Sequence, residues 1–187
     1  MALTRLEMIE KEKNSGKTET ELIDIVGKKC ADKIRELIPN NKRILIFSYK
    51  GNNGQDGLSI ARNIQDEYDV TLVLLHDSII YDRYELHCPI IKDNNYNLND
   101  YDVIIDCIFG FSFHLPPRDN FKELFNKINN SHKTVISMDI NSGAECDSGK
   151  YEDVIYSDYT FILGDRKKVH DLSPELSKNQ ILIDIFH

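Results

Sequence analysis

The sequence predicts an α/β fold of the Rossmann-like, doubly wound kind: a mostly parallel sheet in a three-layer α/β/α arrangement, with an N-terminal helical arm. Three observations carry this expectation. Short aliphatic runs at Ile44–Phe47, Val70–Leu75, Val103–Ile105 and Thr134–Met138 are each bounded by polar residues, as strands buried on both faces are. Segments of helical periodicity alternate with them, which favours parallel strands over hairpins. A glycine-rich stretch, Gly51 to Gly57 (GNNGQDG), stands directly between the first run and an amphipathic helix, the strand, loop and helix order of a crossover unit.

Taken in order, Thr18-Glu19-Thr20-Glu21 has capping-box spacing, and Leu22, Val26, Cys30, Ile34 and Leu37 then recur at helical intervals up to Pro39. This helix forms the body of an arm over residues 1–40. After the strand at Ile44–Phe47, a second helix is predicted from Asp56 to Glu67, with Leu58, Ala61 and Ile64 on its inner face. The strand Val70–Leu75 follows. The stretch His76 to Asp100, rich in Asp, Asn and Tyr, has room for one short strand near Cys88–Ile91 and for no long crossover helix. Between Val103–Ile105 and Thr134–Met138 lies a helix with Phe121, Leu124, Phe125 and Ile128 on one stripe, capped by Asp119. Thr160–Leu163 and Ile181–Ile185 complete the sheet. With no repeat or low-complexity linker, residues 1–187 read as a single domain that includes the arm.

Composition narrows the functional classes. The 31 acidic against 23 basic residues leave a net charge of −8, which disfavours nucleic acid as a partner. The basic runs KNSGK and DRKK read as solvated surface. No apolar run approaches a membrane span, and the polar start MALTRLEMIEKEKN lacks a signal peptide's apolar stretch, so a cytoplasmic address and no membrane partner are expected. The cysteines at 30, 88, 107 and 146 form no C-x-x-C pair and read as reduced thiols, with Cys30 and Cys107 in the core.

In open parallel sheets, ligands bind beyond the carboxyl ends of the strands, so the residues following each apolar run are the candidates. The first run leads into GNNGQDG, whose glycines allow close backbone approach and whose helix start offers unpaired N–H groups to an anion. The same loop matches neither G-x-G-x-x-G nor the Walker pattern, and Asn-Gly also makes hairpin turns. After Val103–Ile105 comes Asp106 and then CIFGFSFHLPPR; after Thr134–Met138 comes Asp139 and then INSGAECDSG. A single strand-end Asp is commonly a turn residue bonding its own backbone. Two on successive strands, each followed by a glycine-containing loop, point to a site. Phe111 and Phe113 share a face if their segment is extended, and His114 reads as a surface residue rather than a catalytic one.

These three segments, GNNGQDGLSIAR, DCIFGFSFHLPPR and DINSGAECDSG, together resemble the NAD(P)H-hydrate epimerase family, the YjeF N-terminal domain that also includes the apolipoprotein A-I-binding protein. ELIDIVGKKCADKI in the arm and FILGDRKK near the end extend the likeness over most of the chain. The resemblance implies an isomerase that interconverts the R and S forms of hydrated NADH and NADPH (NADHX and NADPHX) at the nicotinamide C6, in nicotinamide cofactor repair. By motif, Asn52, Asn53, Gly54, Gln55 and Asp56 would contact the substrate, as would Gly110, Phe111, Ser112, Phe113, His114, Leu115 and Pro116. Asn53, Asp106 and Ser142 would hold one potassium ion per subunit. Asp139 would touch the substrate and serve as acid and base. A homodimer is implied, with a dehydratase on a separate chain as pathway partner.

The chain departs from the family pattern at three places. Gln55 replaces a glycine, and its side chain is expected either to bond the ligand or to obstruct it. Asn141 replaces the proline of DIPSG, which is expected to loosen the loop carrying Asp139 and Ser142. The segment between the second and third strands lacks the usual helix. An inactive domain that dimerises or binds a ligand or protein is therefore the alternative reading.

Overall fold

The computed structural model describes residues 1–116 and 121–187. Its sheet has seven strands in the order β3-β2-β1-β4-β5-β6-β7, comprising β1 (Arg43–Ser48), β2 (Asp69–Leu74), β3 (Ile90–Ile91), β4 (Val103–Cys107), β5 (Thr134–Met138), β6 (Ser157–Leu163) and β7 (Ser177–Ile183). Every pairing is parallel. The chain runs outward from β1 on one side through β2 and β3 and returns to β4 on the other, so the topological switch lies between β1 and β4.

Alternation along β1 sorts the core into two layers. Ile44 and Ile46 face α2 (Glu19–Leu37) and α3 (Asn52–Ile64), packing with Cys30, Ile34, Leu58 and Ile64. Leu45 and Phe47 point to the other face, where α4 (Lys122–Asn129) supplies Phe125 and Ile128. The predicted three-layer fold is thus present, and Cys30 and Cys107 are fully buried in it. Burial holds both thiols well above their ordinary pKa, as expected of inert core cysteines. None of the helices among the described residues is long and apolar enough to cross a membrane.

Several boundaries differ from the sequence expectation. The helix α3 begins at Asn52 rather than Asp56 and ends at Ile64 rather than Glu67. Gly51, with φ 103°, turns the chain so sharply after β1 that the glycine stretch becomes the first turn of the helix instead of a loop. β4 runs on to Cys107, so Asp106 lies within the strand, paired with Ser137 of β5. β7 begins at Ser177 and ends at Ile183. The residue at the N-cap position of α4 is Phe121; Asp119, the expected cap, lies outside the described residues. The 76–100 stretch contains two 3-10 turns and β3, without a crossover helix.

The N-terminal arm contains a second helix that periodicity did not reveal, α1 (Arg5–Asn14), started by a Thr4–Glu7 capping box. Its polar composition hides it, since only Met8 is buried. Far from projecting, α2 crosses α3 in close contact at Gly27, where a Cβ would lie 2.0 Å from Ser59 Oγ and 2.8 Å from a Ser59 backbone atom. Gly27→Ala is therefore expected to destabilise the protein by about 1–3 kcal/mol through overpacking, measured by urea denaturation; an unchanged midpoint would contradict this packing.

Candidate active site

At the carboxyl edge of the sheet, the ends of β1, β4 and β5 open into a cavity of about 750 Å³. Of the residues singled out by motif, Asn52, Asn53, Asp56, Gly110, Phe111, Ser112, Phe113, His114, Leu115, Pro116 and Asp139 line it. Gly54 and Gln55 do not. Gly54 packs against β1's extension, where a Cβ would meet the Tyr49 carbonyl oxygen at 1.6 Å. Because α3 starts early, Gln55 points along the opposite side of the helix, where its Nε2 donates to the Ile80 carbonyl (3.3 Å) and its Oε1 accepts from the Tyr84 hydroxyl (2.7 Å). Neither obstructing nor lining the cavity, Gln55 ties α3 to the stretch that has no crossover helix.

Asp139 occupies the floor. It is 3% exposed and adopts φ 65°, a left-handed conformation that an Asp tolerates better than most residues. Its Oδ1 accepts from the Lys167 ammonium, which is itself fully buried and also donates to the Leu163 carbonyl. Oδ2 accepts from the Phe111 N–H at 3.2 Å. Gly110 fits between this carboxylate and Asn53; a Cβ there would lie 3.3 Å from Asn53 Cβ and 3.5 Å from Asp139 Oδ2. Thus Lys167 belongs to the site, and the DRKK run is not solvated surface at this position. The rule applied to β1, β4 and β5 would have found it, since Lys167 follows the end of β6 by four residues.

Next to Lys167, the His170 ring is buried. Its Nδ1 accepts the Lys167 N–H (2.9 Å), so Nε2 carries the proton and donates to the Asp139 carbonyl (2.7 Å). Desolvation, together with Lys167, pushes its pKa down to about 4, although Asp139 opposes the shift. The ring is a neutral strut under the floor.

Asp106 and Ser142 lie beneath the cavity, both fully buried. Asp106 accepts from Ser142 Oγ (2.5 Å), Ser142 N (3.1 Å), Ser137 Oγ (2.9 Å) and Ile108 N (3.2 Å). Burial raises its pKa against the pull of these donors. Ser142 Oγ also accepts from the Phe109 N–H at 2.8 Å, which joins the β4 and β5 loops. Asn53, 8% exposed, has no partner among the described residues for either side-chain amide atom. Such an orphaned buried amide fits an oxygen-liganded ion or a bound substrate. One carboxylate with neutral oxygen donors suits a monovalent cation, and no cluster of three His, Cys, Asp or Glu residues that could hold a metal occurs among the described residues.

The loop bearing Asp139 and Ser142 is not loosened by Asn141. That side chain, 4% exposed, shares its two N–H donors among the Ile155 carbonyl, Ser157 Oγ and the Leu176 carbonyl, each at 2.9 Å, and accepts from Thr160 Oγ1 at 2.7 Å. A proline could make none of these bonds. Phe111 and Phe113 do not share a face, because a turn closes between Gly110 and Phe113 (3.0 Å). Phe113 stacks on Phe109 at 4.5 Å, while Phe111 packs with the Ile140 cluster under the Lys167 ammonium. His114 is exposed at the rim, 3.6 Å from Glu145.

The cavity's helical wall was not foreseen. Ile9, Glu12 and Lys13 of α1 line it, as do Lys17, Glu19 and Leu22 where α2 begins. Burial pushes Glu12 up to about 7, with the Asp139 charge adding to the shift. Asp56 is raised well above the carboxylate range, mainly by burial and then by Asp139 and Glu12.

A pH test follows from His170. Between about pH 6.5 and about 4 the unfolded chain binds a proton that the folded imidazole does not, so this residue's contribution to stability falls as pH falls through that window. The stability difference between wild type and His170→Gln is expected to shrink on acidification from pH 7 to 4, by at most ~3 kcal/mol, in urea titrations. A difference that is constant with pH would contradict the neutral strut.

A family model described as "YjeF-related protein N-terminus" matches residues 19–169, from the start of α2 through Lys167. Proteins named NAD(P)H-hydrate epimerase are similar: that of Plasmodium vivax is 37% identical over 145 residues, 72% of this chain and 50% of that protein. The Entamoeba histolytica protein of the same name is 34% identical over 146 residues, 72% of this chain and 65% of that one. The chain spans about half the length of the Plasmodium relatives it matches. In fold it superposes on the crystal structure of yeast YNL200c with TM-score 0.81 at 19% identity, covering 95% of this chain and 86% of the yeast one. The match takes in all three strand-end motifs and the buried lysine beneath them, and the chain belongs to the family of YjeF-related protein N-termini.

Proposed function

We propose that this chain is an NAD(P)H-hydrate epimerase, an isomerase interconverting the R and S forms of NADHX and NADPHX in cofactor repair. The observation that carries this reading is a carboxylate, Asp139, fixed by Lys167 and the Phe111 N–H on the floor of a dinucleotide-sized cavity. The relatives' names supply the substrate.

The reacting carbon is a hemiaminal, with a hydroxyl on the atom bonded to the ring nitrogen. Such a centre inverts either by ring opening after loss of the hydroxyl proton or by losing and regaining water through an iminium, and either route needs a proton moved at the C6 oxygen, which the Asp139 carboxylate can do. Clamped oxygens keep the carboxylate aimed, so little is lost in orienting it. Asn52 and Asn53 line the cavity at the start of α3, where that helix's unpaired N–H groups would suit the pyrophosphate. Lys13, Lys17 and Lys50 line the same cavity and suit an anionic substrate.

Asn53, Asp106 and Ser142 would hold a potassium ion, one per subunit, and the orphaned amide of Asn53 supports this. When bound, the ion would supply fixed positive charge to orient these oxygen donors and an anionic substrate. The reading extends to a homodimer, resting on family resemblance, and to a cytoplasmic address, supported by four unpaired cysteines. A stereospecific dehydratase would consume the product. The scaffold alternative drew on Gln55 and Asn141, and both side chains serve as anchors outside the cavity lining.

Epimerisation of purified R or S NADPHX should exceed the spontaneous rate, fall in potassium-free buffer, and drop about 10²–10⁴-fold in Asp139→Asn. Equal turnover by wild type and Asp139→Asn would sink the assignment of Asp139.

A further inference from the structure

Inverting a carbon by exchange of its hydroxyl requires proton transfer on both faces of the ring, and Asp139 alone serves one. We infer that Glu12 is the second acid/base of this site, acting from the helical wall while Asp139 acts from the strand ends. This rests on the epimerase reading and deepens it.

Glu12 lies outside the matched family segment, on α1, yet it lines the same cavity as Asp139. The helix is held there by several ties. Leu3 bridges to the Lys167 segment through paired backbone bonds, to Arg166 O (2.8 Å) and from Lys168 N (3.0 Å). Arg5 N donates to Asp147 Oδ1 at 2.7 Å, and Lys11 pairs with Asp165. Met8 is buried beside Gly164, at the turn that leads to Lys167. The residues that set the position of Lys167 therefore also set that of Glu12. Charged groups facing Glu12 are Asp139 and Asp56 from the sheet edge and α3, Lys167 from the turn after β6, and Glu19 from α2. Lys13 and Lys17 also line the cavity. Burial and the carboxylates outweigh Lys167, leaving Glu12 half-protonated at about pH 7.

Protonated Glu12 gives its proton to the C6 hydroxyl, and the C6–O bond breaks with its electron pair, releasing water. The ring nitrogen lone pair forms the C6=N1 iminium. A water on the opposite face attacks C6, the C=N pair returns to nitrogen, and Asp139 takes the proton of the attacking water. For the other epimer the roles exchange. The step needs the proton on Glu12, so activity declines as pH rises through about 7.

The test compares wild type, Glu12→Gln and Glu12→Asp with NADPHX in ¹⁸O water. Wild type is expected to place one solvent oxygen at C6 per inversion. Glu12→Gln should lose about 10²-fold or more in kcat, with KM changed less than about threefold, and should lose the alkaline limb near neutrality. Glu12→Asp should restore part of the rate and the limb. A Glu12→Gln enzyme within about threefold of wild type with its pH profile intact, or inversion without ¹⁸O uptake, would overturn the role of Glu12 and leave the epimerase reading standing. Wild type no faster than the spontaneous reaction would overturn both.

Discussion

The buried ion pair between Lys167 and Asp139 is the constraint on which the site depends. Two charges almost wholly withdrawn from water must satisfy each other, because leaving either alone costs several kcal/mol. Satisfying them fixes the turn after β6 against the end of β5. It also sets Asp139 in its left-handed conformation, with one carboxylate oxygen on Lys167 and the other on Phe111 N–H. His170, neutral because it is buried, bonds the backbone at both ends of the pair. The parallel bridge from Leu3 to Lys167 carries the constraint outward to α1, so the cavity's helical wall is registered to its floor.

Around that pair the cavity concentrates carboxylates in poor solvation. Asp56 and Glu12 are both pushed upward by burial and by the charge on Asp139. Their effect on stability is opposite in sign to that of His170: each binds its proton more tightly when folded, so each favours the folded state at low pH and withdraws that support as pH rises through its raised pKa. Such an arrangement costs stability near neutrality. The orphaned Asn53 amide adds to the same imbalance.

Much of this was legible in the sequence because strands buried on both faces write themselves as aliphatic runs. Thr134–Met138 matches β5 end to end, and the rule that ligands gather beyond strand ends led to Asp106 and Asp139. What could not be read has physical causes. α1 is amphiphilic only weakly, burying Met8 alone, so only its Thr4–Glu7 box could have announced it. Lys167 sits in a run of charges that composition assigns to water, and its burial depends on a partner 28 residues away in sequence. Gln55 and Asn141 depart from the family pattern, whereas their roles follow from where α3 starts and from what borders the β5 loop. A residue's identity was visible; the direction its side chain faces was not.

The most direct test of the central pair is a double-mutant cycle on stability by urea denaturation, with Asp139→Asn, Lys167→Met and both together. The account predicts that each single change costs about 3–5 kcal/mol and that the double variant loses at least ~2 kcal/mol less than the sum, because removing both charges leaves none stranded. Additivity within about 0.5 kcal/mol would show that the two residues do not depend on each other and would contradict it.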